Sequence, residues 1–229
     1  MAEPAPIFDV VIAGGGANGL ALAAAIKQAM QEGASVAVVD PAPATASAMP
    51  LRTVAIAEGP RRLLDRIGAW EAIGRHAQPI LSMAIMDGKV RDAVRLPHLQ
   101  IAAKDPEPLA HMAFNDDVVG ALSAVCDRLQ VRRVRASVTN WDPGKRVGEL
   151  GLSDGGALRA RLAVAADGAR SKLARLADIV TVGWDYDQTG IVATVAHERD
   201  HEGRAEQHFL PAGPFAILPL PGRRSSLVW

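Results

Sequence analysis

The chain is expected to adopt an α/β fold: a Rossmann-like domain joined to a β-rich portion that is incomplete at its carboxyl end. Three observations predict this. A glycine turn sits between an apolar strand and a helix near the amino terminus, an Asp-Gly pair ends a late strand, and from residue 191 the texture becomes strand-like. The first element has Phe8, Val10, Val11 and Ile12 in a short apolar run of β-branched and aromatic character, as a buried parallel strand should. Gly14, Gly16 and Gly19 follow in G-x-G-x-x-G spacing, and the turn also contains Gly15, Ala17 and Asn18. In this motif one glycine turns sharply, one lets the backbone approach a pyrophosphate, and one packs the helix on the strand. The helix starting near Ala17 would present free N–H groups and the positive end of its dipole to a diphosphate. A second strand closes on Asp40, about 20 residues after the turn, where an acid accepts from ribose hydroxyls and repels a 2′-phosphate. The turn by itself does not separate NAD from FAD.

Composition narrows the function classes. Of 229 residues, 49% are hydrophobic and 22% charged, ordinary values for a soluble globular protein, in one large domain or two small ones. Lys plus Arg and Asp plus Glu number 25 each, so no nucleic-acid footprint is expected. No apolar run reaches the roughly 18 residues of a spanning helix, and the amino terminus lacks a basic secretory segment. One cysteine, Cys126, excludes an internal disulfide and reads as a buried or half-buried thiol on a helix. These features suggest a cytoplasmic protein.

After Asp40, residues 41–50 form a Pro/Ala/Ser loop, and 51–57 (LRTVAIA) a short strand with one cation, Arg52. Residues 58–76 read as one helix, with Pro60 in its first turn and Leu63, Leu64, Ile67 and Trp70 at helical spacing. Residues 80–96 alternate as strands around an Asp87-Gly88 hairpin turn, and 103–108 form a loop. A helix follows over 115–129, capped by Asn115 or Asp116. Three strands are expected over 131–138, 147–152 and 158–165, the last two joined by Asp154-Gly155-Gly156. The third runs into Asp167-Gly168 and a short helix to 176. Four strand-like segments then appear: IVATVAH, RAEQHFL, FAILPLP and SSLVW.

His197-Glu198-Arg199-Asp200-His201 spells H-E-x-x-H, which binds zinc only on a helix. The preceding Val/Ile/Thr-rich stretch and the following Glu202-Gly203 favour a strand entering a turn, so no metal site is expected. His76, His98, His111 and His208 are scattered and expected at polar surface positions.

Taken together, the glycine turn with Asp40, the segment 52–57, VAADGARSKLAR (164–175) and GPFAILPLP with SLVW (213–229) resemble the FAD-dependent aromatic hydroxylases of ubiquinone biosynthesis. These are flavoprotein monooxygenases with a p-hydroxybenzoate-hydroxylase-like fold, and the resemblance covers essentially the whole chain. It implies an FAD-binding domain over 1–79 and 111–178, and a partial β-rich substrate domain over 80–110 and 179–229. Gly14, Gly15, Gly16, Ala17, Asn18, Gly19, Asp40, Arg52, Asp167 and Gly168 would bind the cofactor, with Asp167 on ribityl hydroxyls and Arg52 against the flavin. Phe215, Ile217 and Pro219 would line the aromatic pocket. The implied reaction is hydroxylation of an aromatic ring, a polyprenyl phenol, with NAD(P)H as transient co-substrate and O₂. The cofactor would carry the chemistry, so no catalytic side chain is nominated. Peripheral membrane or multi-enzyme association would suit such a substrate.

The chain also departs from the family. Ala174 stands where an arginine is usual, with Arg175 one residue late. Residues 114–120 lack the family's Arg or Gln and offer Asp116 and Asp117, which would repel phosphate, so weaker FAD binding is expected. Family members are nearly twice as long and carry a later Gly-Asp motif, absent here. The alternative reading is therefore a truncated, inactive FAD- or ADP-binding remnant or subunit whose missing half lies on another chain. An NAD-dependent dehydrogenase ranks last.

Overall fold

The computed structural model describes residues 6–30, 33–42, 52–88, 91, 96–104 and 107–229. The expected loop at 41–50 lies outside the described residues from 43 onward, as do Leu51 and parts of the segments 80–96 and 103–108. In chain order the elements are β1 (Ile7–Ala13), α1 (Ala17–Ala29), β2 (Val36–Val39), β3 (Thr53–Ala57), α2 (Glu58–Arg66) and α3 (Trp70–Gly74). They continue with β4 (Gln78–Ile80), β5 (Ser82–Asp87), β6 (Leu99–Ala102), β7 (Ala110–Phe114) and α4 (Asn115–Arg128). Next come β8 (Arg132–Val134), β9 (Val138–Asp142), β10 (Gly148–Leu152), β11 (Ala157–Ala165) and α5 (Lys172–Leu176). The last strands are β12 (Val192–Ala196), β13 (Arg204–Leu210), β14 (Gly213–Leu220) and β15 (Arg224–Val228).

Contacts divide the chain into two compact units, Met1–Ala48, Ile67–Ala69 and Val118–Trp184 in the first, and the remainder in the second. The first holds a six-stranded sheet in the order β8-β2-β1-β11-β10-β9. β8, β2, β1 and β11 run parallel, β10 runs antiparallel to β11, and β9 antiparallel to β10. β1 and β2 lie inside the sheet because their apolar runs leave no face for water: Val11, Ile12, Ala37 and Val38 are almost fully buried. The Asp154-Gly155-Gly156 turn joins β10 to β11 as expected, with the Gly156 N–H donating to Asp154 Oδ1 at 2.9 Å. The single strand expected over 131–138 is instead two, at opposite ends of the strand order. A bend at 135–137, closed by the Ala136 N–H donating to Val134 O at 3.1 Å, redirects the chain. Val138, Leu150 and Leu152 then pack in one cluster with Val11, Ala13, Ala37 and Val39. Cys126 is fully buried in α4 and donates to Leu20 O at 3.4 Å; burial pushes its thiol up to about 11.

The second unit contains a sheet in the order β12-β15-β14-β13-β5-β6 and a three-stranded sheet β3-β7-β4. Ile80, Met112, Ala205 and Leu220 form the cluster that joins them. The helix expected over 58–76 is broken into α2 and α3 at Gly68, and Leu63 is exposed rather than core-facing. Asp87-Gly88 does not form a two-residue hairpin: β5 pairs with β6, whose first residue is Leu99. β4 and β7 are further strands that period-two patterning did not reveal, being only 3 and 5 residues long. α4 begins at Asn115, and Asp116 and Asp117 fall in its first turn, where the helix dipole favours acids. Among the described residues no helix is long and apolar enough to cross a membrane.

Candidate functional site

Four parallel strands of the first unit end along one edge, and each is followed by a small or polar residue. Gly14 follows β1, Asp40 follows β2, Ala136 and Ser137 lie just beyond β8, and Asp167 just beyond β11. Backbone hydrogen bonds carry the ladder past the strand ends: Gly14 N to Val39 O at 2.8 Å, Asp40 N to Val134 O at 3.0 Å and Ala166 N to Ala13 O at 2.7 Å. Open α/β sheets bind ligands beyond the carboxyl ends of their strands. Here that edge holds a cleft of about 430 Å³ lined by Gly14, Gly16, Asp40, Ser137, Asp167 and Lys172, among others.

The glycines of the turn have separable reasons. Gly14 has φ +112°, a conformation that L side chains rarely adopt, and a Cβ there would lie 2.2 Å from Ala166 O. A Cβ on Gly19 would lie 1.9 Å from Gly14 O, so only glycine lets α1 pack this close to the turn. A Cβ on Gly15 would meet Asp40 at 2.9 Å. Gly16 differs: nothing lies within 4 Å of where its Cβ would be, yet it lines the cleft. Gly16 is also the N-cap of α1 and supplies no side-chain cap, and no acid occupies the first turn. The amino-terminal amides of α1, at Ala17, Asn18 and Gly19, thus have no side-chain cap among the described residues and suit an acceptor on a ligand.

Asp40 braces the turn from the cleft wall. Its Oδ2 accepts from the Gly15 N–H at 2.5 Å and its Oδ1 from the Ala42 N–H at 2.8 Å. Each carboxylate oxygen has a second lone pair, so the group can still accept from a ligand hydroxyl. Asp167 is tied to α5: its carboxylate accepts from the Ser171 hydroxyl, from the Lys172 N–H at 2.7 Å and from the Leu173 N–H at 3.2 Å. Burial pushes the Asp167 carboxyl up, but these hydrogen bonds outweigh it and hold the group below its ordinary 3.8. Asp167 thus anchors the Asp-Gly turn while facing the cleft. Gly168, at φ +92°, makes the bend that follows. Ser137 and Lys172 also line the cleft and were not foreseen, because nothing local marks a residue three positions past a short edge strand, or the first residue of a short helix, as part of a site.

Asp167→Ala is expected to cost about 1 kcal/mol, the usual effect of losing a helix-capping carboxylate. Because the folded value is depressed, this contribution is present above pH 3.8 and is lost as the pH falls from there through the lower folded value. Urea unfolding of the wild type and Asp167→Ala should therefore differ at neutral pH and converge in acid. Equal stability at neutral pH would remove the anchoring role.

The remaining predicted residues lie in the second unit. Arg52 directly precedes β3 and is exposed, and its carbonyl accepts from the Asn115 N–H at 2.8 Å. Phe215, Ile217 and Pro219 share one face of β14, and Ile217 lines a cleft of about 680 Å³ with Arg204 and Glu206. The H-E-x-x-H stretch lies in the connection between β12 and β13 and is not helical. Its rings are held by neighbours: His197 by Arg199 O at 2.6 Å and Ser225 Oγ at 3.0 Å, and His201 by Leu220 O at 2.9 Å and by the Gly203 N–H at 3.0 Å. His76 and His98 are exposed as expected, but two histidines are not surface residues. His111 is half-buried with its ring 4.8 Å from Trp70, and burial lowers its pKa. His208 is 7% exposed, because its strand β13 lies inside its sheet between β5 and β14.

The FAD binding domain family matches residues 8–224. The chain is 41% identical over 228 residues to the ubiquinone hydroxylase UbiL of Rhodospirillum rubrum, covering 97% of this chain and 52% of that protein. It is 31% identical over 245 residues to the mitochondrial ubiquinone biosynthesis monooxygenase COQ6 of Homo sapiens, covering 97% and 51%. The chain thus spans about half the length of the curated relatives it matches. Among solved structures, PqsL of P. aeruginosa in complex with 2-aminobenzoylacetate superposes with a TM-score of 0.80 at 20% identity, over 97% of this chain and 60% of that one. The p-nitrophenol 4-monooxygenase PnpA of Pseudomonas putida does so with 0.79 at 20% identity, over 97% and 57%. These structural likenesses establish the fold.

Proposed function

The chain belongs to the FAD binding domain family, and from that membership we propose that its cleft holds the ADP end of FAD as part of a monooxygenase that hydroxylates an aromatic ring. One observation carries the reading: Gly16, Asp40, Asp167 and the uncapped end of α1 converge on a single cleft. The fit to the cofactor is chemical. The α1 amides suit a diphosphate, Asp40 suits ribose hydroxyls, and Asp167 suits the hydroxyls of the ribityl chain. Open space at Gly16 is where the backbone lets a phosphate come close. Lys172 adds a cation to the same wall.

FAD, when bound, supplies the redox and oxygen-transfer chemistry, with NAD(P)H and O₂ as co-substrates. The chain's own residues bind and orient. Arg52 is the proposed neighbour of the flavin, and Phe215, Ile217 and Pro219 the proposed walls of the aromatic pocket. In this reading residues 1–79 and 111–178 serve the cofactor, and 80–110 and 179–229 the substrate. A polyprenyl phenol of ubiquinone biosynthesis is the proposed substrate, by analogy with the ubiquinone hydroxylase relatives. Such a substrate is lipid-borne, so the proposed working place is a membrane surface reached from the cytoplasm.

Absorbance of the purified protein tests this. A stoichiometric yellow complex, bleached by NADH or NADPH, is the expected result. A protein that stays colourless after incubation with FAD would overturn the cofactor assignment.

A further inference from the structure

β13 carries Arg204, Glu206 and His208 at alternate positions, so all three project from one face of its sheet. Glu206 is held between the other two: Arg204 Nη2 lies 3.0 Å from its Oε1, and His208 Nε2 lies 3.2 Å from its Oε2. The register continues the same face onto β14, with Glu206 opposite Ile217 and His208 opposite Phe215. The His208 and Phe215 rings are 6.1 Å apart, and Phe215 meets Trp229 edge-on at 6.0 Å. A buried histidine paired with a carboxylate is thus set beside an aromatic pair. It shares the face that the proposed function gives to the aromatic substrate.

We infer that His208 accepts the proton of the substrate's phenolic hydroxyl and that Glu206 positions it for that task. The inference rests on the reading of this face as the substrate side. With Nε2–H donating to Glu206, Nδ1 is left with its lone pair and makes no hydrogen bond among the described residues; no fully buried side-chain nitrogen there lacks a partner, so this atom is open to a ligand. In the step the phenol O–H bond breaks, an Nδ1–H bond forms, and the products are a phenolate and an imidazolium. The Glu206 carboxylate faces that imidazolium, and Arg204 fixes the carboxylate, as in other carboxylate–histidine pairs. Glu206 also lines the cleft of about 680 Å³, whereas His208 does not, so the proton has a route from the buried ring to solvent. A phenolate is the more electron-rich ring, which is the form an electrophilic oxygen donor attacks.

4-Nitrophenol is a suitable probe because its phenolate has a distinct absorbance band. The chain with FAD added is mixed with it at a pH below the probe's own pKa, and the spectrum is read as a difference from the protein alone. Wild type should bind the probe and raise its phenolate fraction about tenfold over free solution. His208→Phe should still bind the probe but lose that rise, His208→Gln should behave alike, and Glu206→Gln should lose part of it. A ring that merely packs would leave the phenolate fraction unchanged. An unchanged fraction in either His208 variant, or no binding by the wild type, overturns the inference. If His208→Phe does not fold, His208→Gln makes the same comparison. Flavin absorbance in the same samples reports separately on the cofactor site.

Discussion

Gly14→Ala is expected to destabilise the chain by about 3 kcal/mol, lowering Tm by roughly 10 °C. Two effects add. A side chain at φ +112° is strained, and its Cβ would sit 2.2 Å from the main-chain oxygen of Ala166, a residue whose N–H is itself tied to Ala13 O. Relief requires the chain to part just past the ends of β1 and β11, which six register pairs hold together up to Ala13 and Ala165. Gly19→Ala should act the same way, since its Cβ at 1.9 Å from Gly14 O would lift α1 off the turn. Thermal or urea unfolding checks both. A Gly14→Ala protein within about 1 kcal/mol of wild type would mean that the turn relaxes in a way this geometry does not permit.

Gly16→Ala separates binding from folding. Its backbone is extended at φ −74° and ψ −178°, and its Cβ would point into open space, so stability should change by less than about 1 kcal/mol. The methyl group would nevertheless stand in the cleft where a diphosphate approaches the α1 amides. Losing one or two charge-assisted hydrogen bonds there should weaken FAD binding about 10- to 100-fold. Titration of FAD fluorescence measures this. Wild-type affinity in a well-folded Gly16→Ala protein would place the phosphates away from the end of α1.

How much of this was legible in the residues themselves follows from range. The glycine turn, the apolar runs of β1 and β2, Asp40, the Asp154-Gly155-Gly156 hairpin and the four last strands are written locally. Their signals act within a few residues, through steric limits on φ, alternation and the spacing of apolar groups. The break of the expected long helix at Gly68 was missed because apolar periodicity runs straight across it, and propensity alone resists a mid-helix glycine by only about 1 kcal/mol. The hairpin expected at Asp87-Gly88 failed because β5 found its partner at residues 99–102 instead.

The sequence by itself determined that a βαβ unit with a phosphate-ready turn would form, and which family the chain joins. Only the tertiary structure decided that residues 131–138 would serve two distant positions in one sheet, and that Asp167 would anchor a helix while facing the same cleft as Asp40. It alone decided that His208 would be buried beside Glu206 rather than sit in water. The reason is physical. Sheet neighbours such as Val39 and Val134, or Glu206 and Ala84, are far apart along the chain, and the burial of a polar side chain depends on which strands arrive on either side of it.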